Sequence, residues 1–298
     1  MIVSLDCIPC TVNSFLRLIK TGMLPEESKE AAMRRLLAFL SRADFRQSPP
    51  ALGREMHRMI REELNNSDPY REIKEKYNRM MLDLQPQFEN QIETSIDSFD
   101  TAMRLAVAGN VIDFGPQAQM DIMETINRVT RAQFAIDDSQ QLRDDLKSAR
   151  TLLYLGDNCG EIVMDKLFLQ TLGLPEMYFA VRGGPIINDV TIEDAKLVGM
   201  EDVATVITTG DDSPGVVWET ASDEFKAIFN EADVIISKGQ GNLEGLIDVP
   251  QNIYFLLVIK CDLVGELVET GVGEFVIKRS PSQEYKSKEI TPTEKEVL

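Results

Sequence analysis

The chain changes character at Arg150, and that change constrains its fold more than any other feature. From there on, short apolar runs at 151–155, 177–181, 204–207, 234–237 and 253–259 alternate with amphipathic stretches at 161–173, 191–198, 215–230 and 243–248. Such alternation predicts βα units feeding a mainly parallel sheet. The expected fold class is therefore α/β: a doubly wound, Rossmann-like sheet, with 274–278 as an added antiparallel edge strand. The first half lacks β-rich runs. It reads as helices at 11–23, 26–41, 51–64, 70–85, 88–108 and 118–135. Pro25 suits a first turn, while Ser48-Pro49-Pro50 and the loop Asn65–Pro69 interrupt the pattern. The chain divides accordingly into an all-helical region at 1–100, with an internal break near 48–50, and an α/β domain at 101–298. The tail from Ser280 is polar and has little to bury.

Composition narrows the chemistry. A net charge of −18 excludes nucleic acid as a partner, because phosphate backbones need clustered Lys and Arg. A phosphorylated substrate would need a local cation to hold it against that field. The longest apolar run, 253–259, falls far short of the roughly 20 residues that span a bilayer, so no membrane partner is expected. Four cysteines and no visible secretory signal point to a reducing, cytoplasmic setting. The single histidine, His57, excludes a multi-histidine zinc site and reads as a packing or surface residue of a charged helix. Any metal must rest on oxygen ligands, which favours magnesium or manganese over zinc.

Functional groups gather at the expected carboxyl ends of strands, where open α/β sheets bind ligands. The run 151–165, TLLYLGDNCGEIVMD, delivers Asp157 and Asn158 together and Glu161 at the start of a helix. A carboxylate beside an amide oxygen makes half a shell for a hard divalent cation. Asp165 falls a turn further on. After the next strand, VRGGPIINDV places Asp189 where it can supply a third oxygen ligand or cap the following helix, and residue types leave both uses open. The stretch Lys238-Gly239-Gln240-Gly241-Asn242 offers glycines that can turn backbone N–H groups toward an anion, with a lysine beside them. Lys260 closes the strand at 253–259. Oxygen-held metal, lysine and anion nest together read as phosphoryl chemistry. Cys7 and Cys10 form an isolated CxxC without thioredoxin context, and structural use is favoured over redox catalysis. Cys159 and Cys261 adjoin these residues and read as packing.

GDNCGEIVMD, IINDVTIEDA, SKGQGNLEGL and LVIKCDL together resemble the damage-control phosphatase family, also called domain of unknown function 89. The archaeal-type subfamily with an amino-terminal CxxC is the nearest match, and AVAGNVIDFG at 106–115 marks the join of the two parts. The resemblance implies metal ligands at Asp157, Asn158 and Asp189. It implies substrate contacts at Glu161, the 238–242 loop and Lys260, with Asn110 and Asp113 near the cleft. It further implies a manganese-, cobalt-, nickel- or magnesium-dependent phosphatase acting on sugar phosphates or related damaged metabolites. Cys159 departs from the family pattern, which carries alanine or serine there; a thiol beside two ligands would soften metal preference or make the site oxidisable. A related branch is associated with carboxyl methyl transfer from S-adenosylmethionine, and a non-catalytic metal- or phosphosugar-binding protein is the other alternative. Whether a carboxylate orients water or attacks phosphorus is not fixed by the sequence, nor is the oligomeric state.

Overall fold

The computed structural model describes residues 1–20, 24–111 and 122–280. Its first three helices, α1 (Cys7–Lys20), α2 (Glu26–Leu40) and α3 (Pro49–Leu64), bury Phe15, Ile19, Leu36, Leu52 and Ile60 in a core of their own. Pro49 and Pro50 occupy the first turn of α3, where a missing N–H costs nothing. The break at 48–50 therefore joins two helices of one core.

α4 (Arg71–Glu93) runs straight through Pro86, so the expected interruption between 85 and 88 is absent. Met81, Phe88 and Ile92 form one buried stripe along it. Their burial outweighs the roughly 3 kcal/mol that a helix-interior proline costs. The next helix, α5 (Ser98–Gly109), starts later than read, after Asp97, whose carboxylate accepts the Asp100 N–H. Both α4 and α5 share a core with the sheet, while α1–α3 bury a core of their own. The next helix among the described residues is α6 (Ile122–Thr130). Asp113, the start of the predicted 118–135 helix and the tail from 281 lie outside the described residues.

The sheet comprises β1 (Ile136–Asp137), β2 (Thr151–Leu155), β3 (Glu176–Val181), β4 (Thr205–Thr208), β5 (Val234–Lys238), β6 (Ile253–Val258) and β7 (Phe275–Arg279), in the order β1-β7-β6-β5-β2-β3-β4. β2, β3, β4, β5 and β6 run parallel, and β7 is antiparallel to β6 as expected. It is not the edge, however, because β1 pairs beyond it. Alternation along β2 sends Leu152 and Tyr154 to one core and Leu153 and Leu155 to the other, so helices cover both faces. The crossover helices are α8 (Glu161–Gln170), α9 (Ile192–Val198), α10 (Asp223–Glu231) and α11 (Gln240–Leu246), while α12 (Asp262–Val268) joins β6 to antiparallel β7 and α7 (Ser139–Ser148) precedes β2. α10 fills only the second half of 215–230, since Ser222 caps it. Chain order reverses between β2 and β5, which opens a crevice at their carboxyl ends.

Candidate active site

Two loops meet in that crevice. Asp157 and Asn158 follow β2, and Asp189 returns from the turn after β3. The Val190 N–H donates to Asp157 O at 2.9 Å and the Cys159 N–H to Asn188 O at 2.8 Å. Asn158 and Asp189 form an isolated antiparallel bridge. The Asn188 side-chain amide donates to Asn158 Oδ1 at 2.8 Å. These bonds bring the three expected ligands together. Asp189 does not cap α9, because Thr191 does so in a capping box with Asp194. Its Oδ2 instead accepts Arg182 Nε at 2.6 Å.

Arg182 is the site residue that sequence reasoning passed over. Buried beneath the loops, it also donates to Asn242 Oδ1 at 2.9 Å and places Nη2 3.5 Å from Asp157 Oδ1. Nη2 has no hydrogen-bond acceptor among the described residues. The only signal in the sequence was an arginine directly after a buried strand.

The β5 end differs from expectation. Lys238 is fully buried, and its ammonium donates to Ala106 O at 2.8 Å, Asp165 Oδ1 at 2.7 Å and Glu161 Oε1. Burial works against its charge, yet the Asp165 and Glu161 carboxylates outweigh it and hold the ammonium above its ordinary pKa. All three donors are consumed, so Lys238 is not free to grip a phosphoryl group. Glu161 is likewise sealed. It accepts from Asn158 Nδ2 at 2.9 Å and Asn110 Nδ2 at 3.3 Å. Asn110 lies beside the cleft as expected, donating to Asp157 Oδ2 at 3.0 Å. Asp165 sits a turn behind, bonded to Tyr154 Oη at 2.6 Å.

The glycines serve close packing rather than an open anion nest. Gly239, at φ 77°, lies flat against the Asp157 carboxylate, and a Cβ there would overlap it. Its N–H donates to Leu256 O. Gly241 and Gly245, one turn apart, let α11 pass the backbone of Pro214 and Val216. Asn242 is buried and ties Arg182 to Gly156 O and Lys238 O. Gln240 accepts the Lys260 N–H and reaches Cys261 Sγ at 3.3 Å. Lys260 itself is exposed at the rim, and its charge acts on both Asp157 and Asp189.

Burial, then the charges of Asp189 and Glu161, push Asp157 up to about 7. Burial also raises Asp189, against the pull of Arg182. Carboxylates that disfavour their own charge in each other's presence are suited to a cation. Among the described residues no three His, Cys, Asp or Glu side chains converge as a metal group; the set expected from the sequence is two carboxylates and one amide. Hard oxygen donors of this kind fit a hard divalent ion. Asn158 presents its amide nitrogen to Asp157 at 2.6 Å, and a half-turn of that amide would offer its oxygen instead. Cys159 is buried with its Sγ 3.8 Å from the Asp189 carbonyl and in reach of Asp194 and Asn78, and burial lifts its thiol well above the usual range. It packs within the core. His57 is buried beside Tyr70 rather than on the surface.

The damage-control phosphatase ARMT1-like domain matches residues 3–276. The chain belongs to this family. It is 33% identical over 286 residues to the damage-control phosphatase PH1575 of Pyrococcus horikoshii, covering 94% of this chain and 99% of that protein. A damage-control phosphatase of Archaeoglobus fulgidus is 33% identical over 235 residues, covering 76% and 81%. The crystal structure of the P. horikoshii protein, a DUF89 family member, superposes with a TM-score of 0.85 across 94% of this chain and 100% of that one. The family's α/β fold is thus the one built here. No helix among the described residues is long and apolar enough to cross a membrane.

Proposed function

We propose that this chain is a metal-dependent phosphatase that hydrolyses small phosphomonoesters, sugar phosphates among them, in the cytoplasm. One observation carries the reading. Four carboxylates, Asp157, Glu161, Asp165 and Asp189, share the floor of the crevice with two cations, Arg182 and Lys238. Carboxylates outnumber the buried cations there, burial pushes Asp157 and Asp165 up to about 7, and a divalent ion would offset that excess. Family membership supports phosphatase chemistry.

Asp157, Asn158 and Asp189 would hold manganese, cobalt, nickel or magnesium. When bound, such an ion polarises a phosphoryl oxygen and acidifies a water. The chain's own groups do the rest. Arg182 fixes the Asp189 carboxylate through Nε. Lys260 offers an ammonium at the rim to the charge developing on the phosphoryl oxygens. Lys238, Asn110 and Glu161 hold Asp157 and Asn158 from below. The partner is a small phosphorylated metabolite, drawn in by this local charge against an acidic surface.

The test is phosphate release from a panel of sugar phosphates by metal-stripped protein, with magnesium, manganese, cobalt and nickel restored separately. Turnover that returns with metal and is absent in Asp157→Ala supports the proposal. Silence across every pairing rejects hydrolysis and turns attention to methyl transfer or simple binding.

A further inference from the structure

Asn78 stands on α4, away from every group assigned a chemical task, yet it is fully buried and both ends of its amide are used. Its Oδ1 accepts the Gly160 N–H at 2.6 Å, two residues beyond Asn158. Its Nδ2 donates to Asp194 Oδ1 at 3.1 Å. The other oxygen of Asp194 accepts Thr191 N–H at 2.9 Å and Thr191 Oγ1 at 2.7 Å, two residues beyond Asp189. Lys74, one turn earlier on α4, lies 3.1 Å from Asp194 Oδ2 and 3.2 Å from Asp68. One side-chain amide therefore spans the two loops that carry Asp157-Asn158 and Asp189. Gly160, at φ 78°, faces Tyr77 and Met81 of the same helix, with room for little more than a Cβ between them.

We infer that Asn78 is a positioning residue: it sets the separation of the two ligand loops and thereby the affinity of the site for its cation. The inference rests on the metal-site reading above. Outer groups that orient ligands commonly change metal affinity by about 10–100-fold when removed. An amide suits this position because it needs one acceptor and one donor, facing opposite ways, in a region closed to water.

The test is calorimetric titration of Mn²⁺ into metal-stripped protein. Asn78→Ala and Asn78→Asp are each expected to weaken binding about tenfold or more. Asn78→Asp still accepts from Gly160 but repels Asp194. Combining it with Asp194→Asn restores the bond with donor and acceptor exchanged, and is expected to recover most of the affinity. Met56→Ala, which opens a cavity in the core of α1–α3, controls for general destabilisation and should leave affinity unchanged. If Asn78→Ala does not fold, the Asn78→Asp series carries the same comparison. Wild-type affinity in Asn78→Asp, or no recovery in the double variant, overturns the inference while the metal site stands. Unchanged binding in Asp157→Ala overturns the metal-site reading and the inference with it.

Discussion

Lys238 and Lys260 close neighbouring parallel strands, and the structure gives them opposite surroundings. Lys238 is the last residue of β5, paired with Leu256 and flanked by β2, so its side chain enters the layer between sheet, α5 and α8. Lys260 lies two residues past β6, clear of that layer, and its ammonium meets no acceptor among the described residues. One charge is sealed and stabilises the framework that holds Asp157. The other is open to a ligand. Residue type and strand-end position do not separate these roles; burial and the nearest acceptors do.

The sharpest way to break this comparison is to remove the sealed charge. Lys238→Met strands Glu161 and Asp165 without a counter-ion, and should cost about 3–5 kcal/mol in urea unfolding. A midpoint that does not move would mean the ammonium holds nothing.

The open charge should behave in reverse. Lys260→Ala is expected to lower kcat/KM for a phosphomonoester by about a hundredfold, while stability stays within about 0.5 kcal/mol. Wild-type kinetics would reduce Lys260 to a solvated strand end.

Acidity sharpens the contrast further. Asp157 titrates near 7 without metal. Cation affinity should thus be highest above about 7 and fall by up to about tenfold per pH unit below it, as protons compete for the ligand. Mn²⁺ titrations across pH check the sign; affinity independent of pH would contradict it.

His57, another sealed group, acts only through pH, and only well below neutrality. Burial and the Arg61 charge lower its pKa from 6.5 to about 3, so the unfolded chain takes up the proton first. Its contribution to stability is complete above about 6.5 and is lost as pH falls toward 3, at no more than about 1.4 kcal/mol per pH unit. His57→Leu should flatten that limb of a pH–melting curve, and an unaltered slope would place the titration elsewhere.

Much of the fold was legible because its central strands are buried on both faces and read as unbroken apolar runs. β1 escaped notice because two residues carry no period, and α7 because SQQLRDDLKS is polar with only Leu142 and Leu146 inside. Pro86 misled because the buried stripe of α4 overrides a local breaker. Within the site, Asp157 and Asn158 were legible as a carboxylate and an amide at a strand end, whereas for Asp189 residue types left cap and ligand both open and only the family resemblance favoured the ligand. Arg182 and Asn78 were not legible, since their roles come from partners across the fold: Asn242, 60 residues from Arg182, and Asp194, 116 from Asn78. The glycines between 239 and 245 resembled an anion cradle because loop chemistry and close backbone packing call for the same residue.

The central claim is that the crevice between β2 and β5 holds one divalent cation on Asp157, Asn158 and Asp189. Mn²⁺ stoichiometry on metal-stripped protein, beside Asp157→Ala and Asp189→Ala, tests it most directly. The account predicts one ion per chain in the wild type and none held by either variant. Equal binding in all three, or none in the wild type, would contradict it.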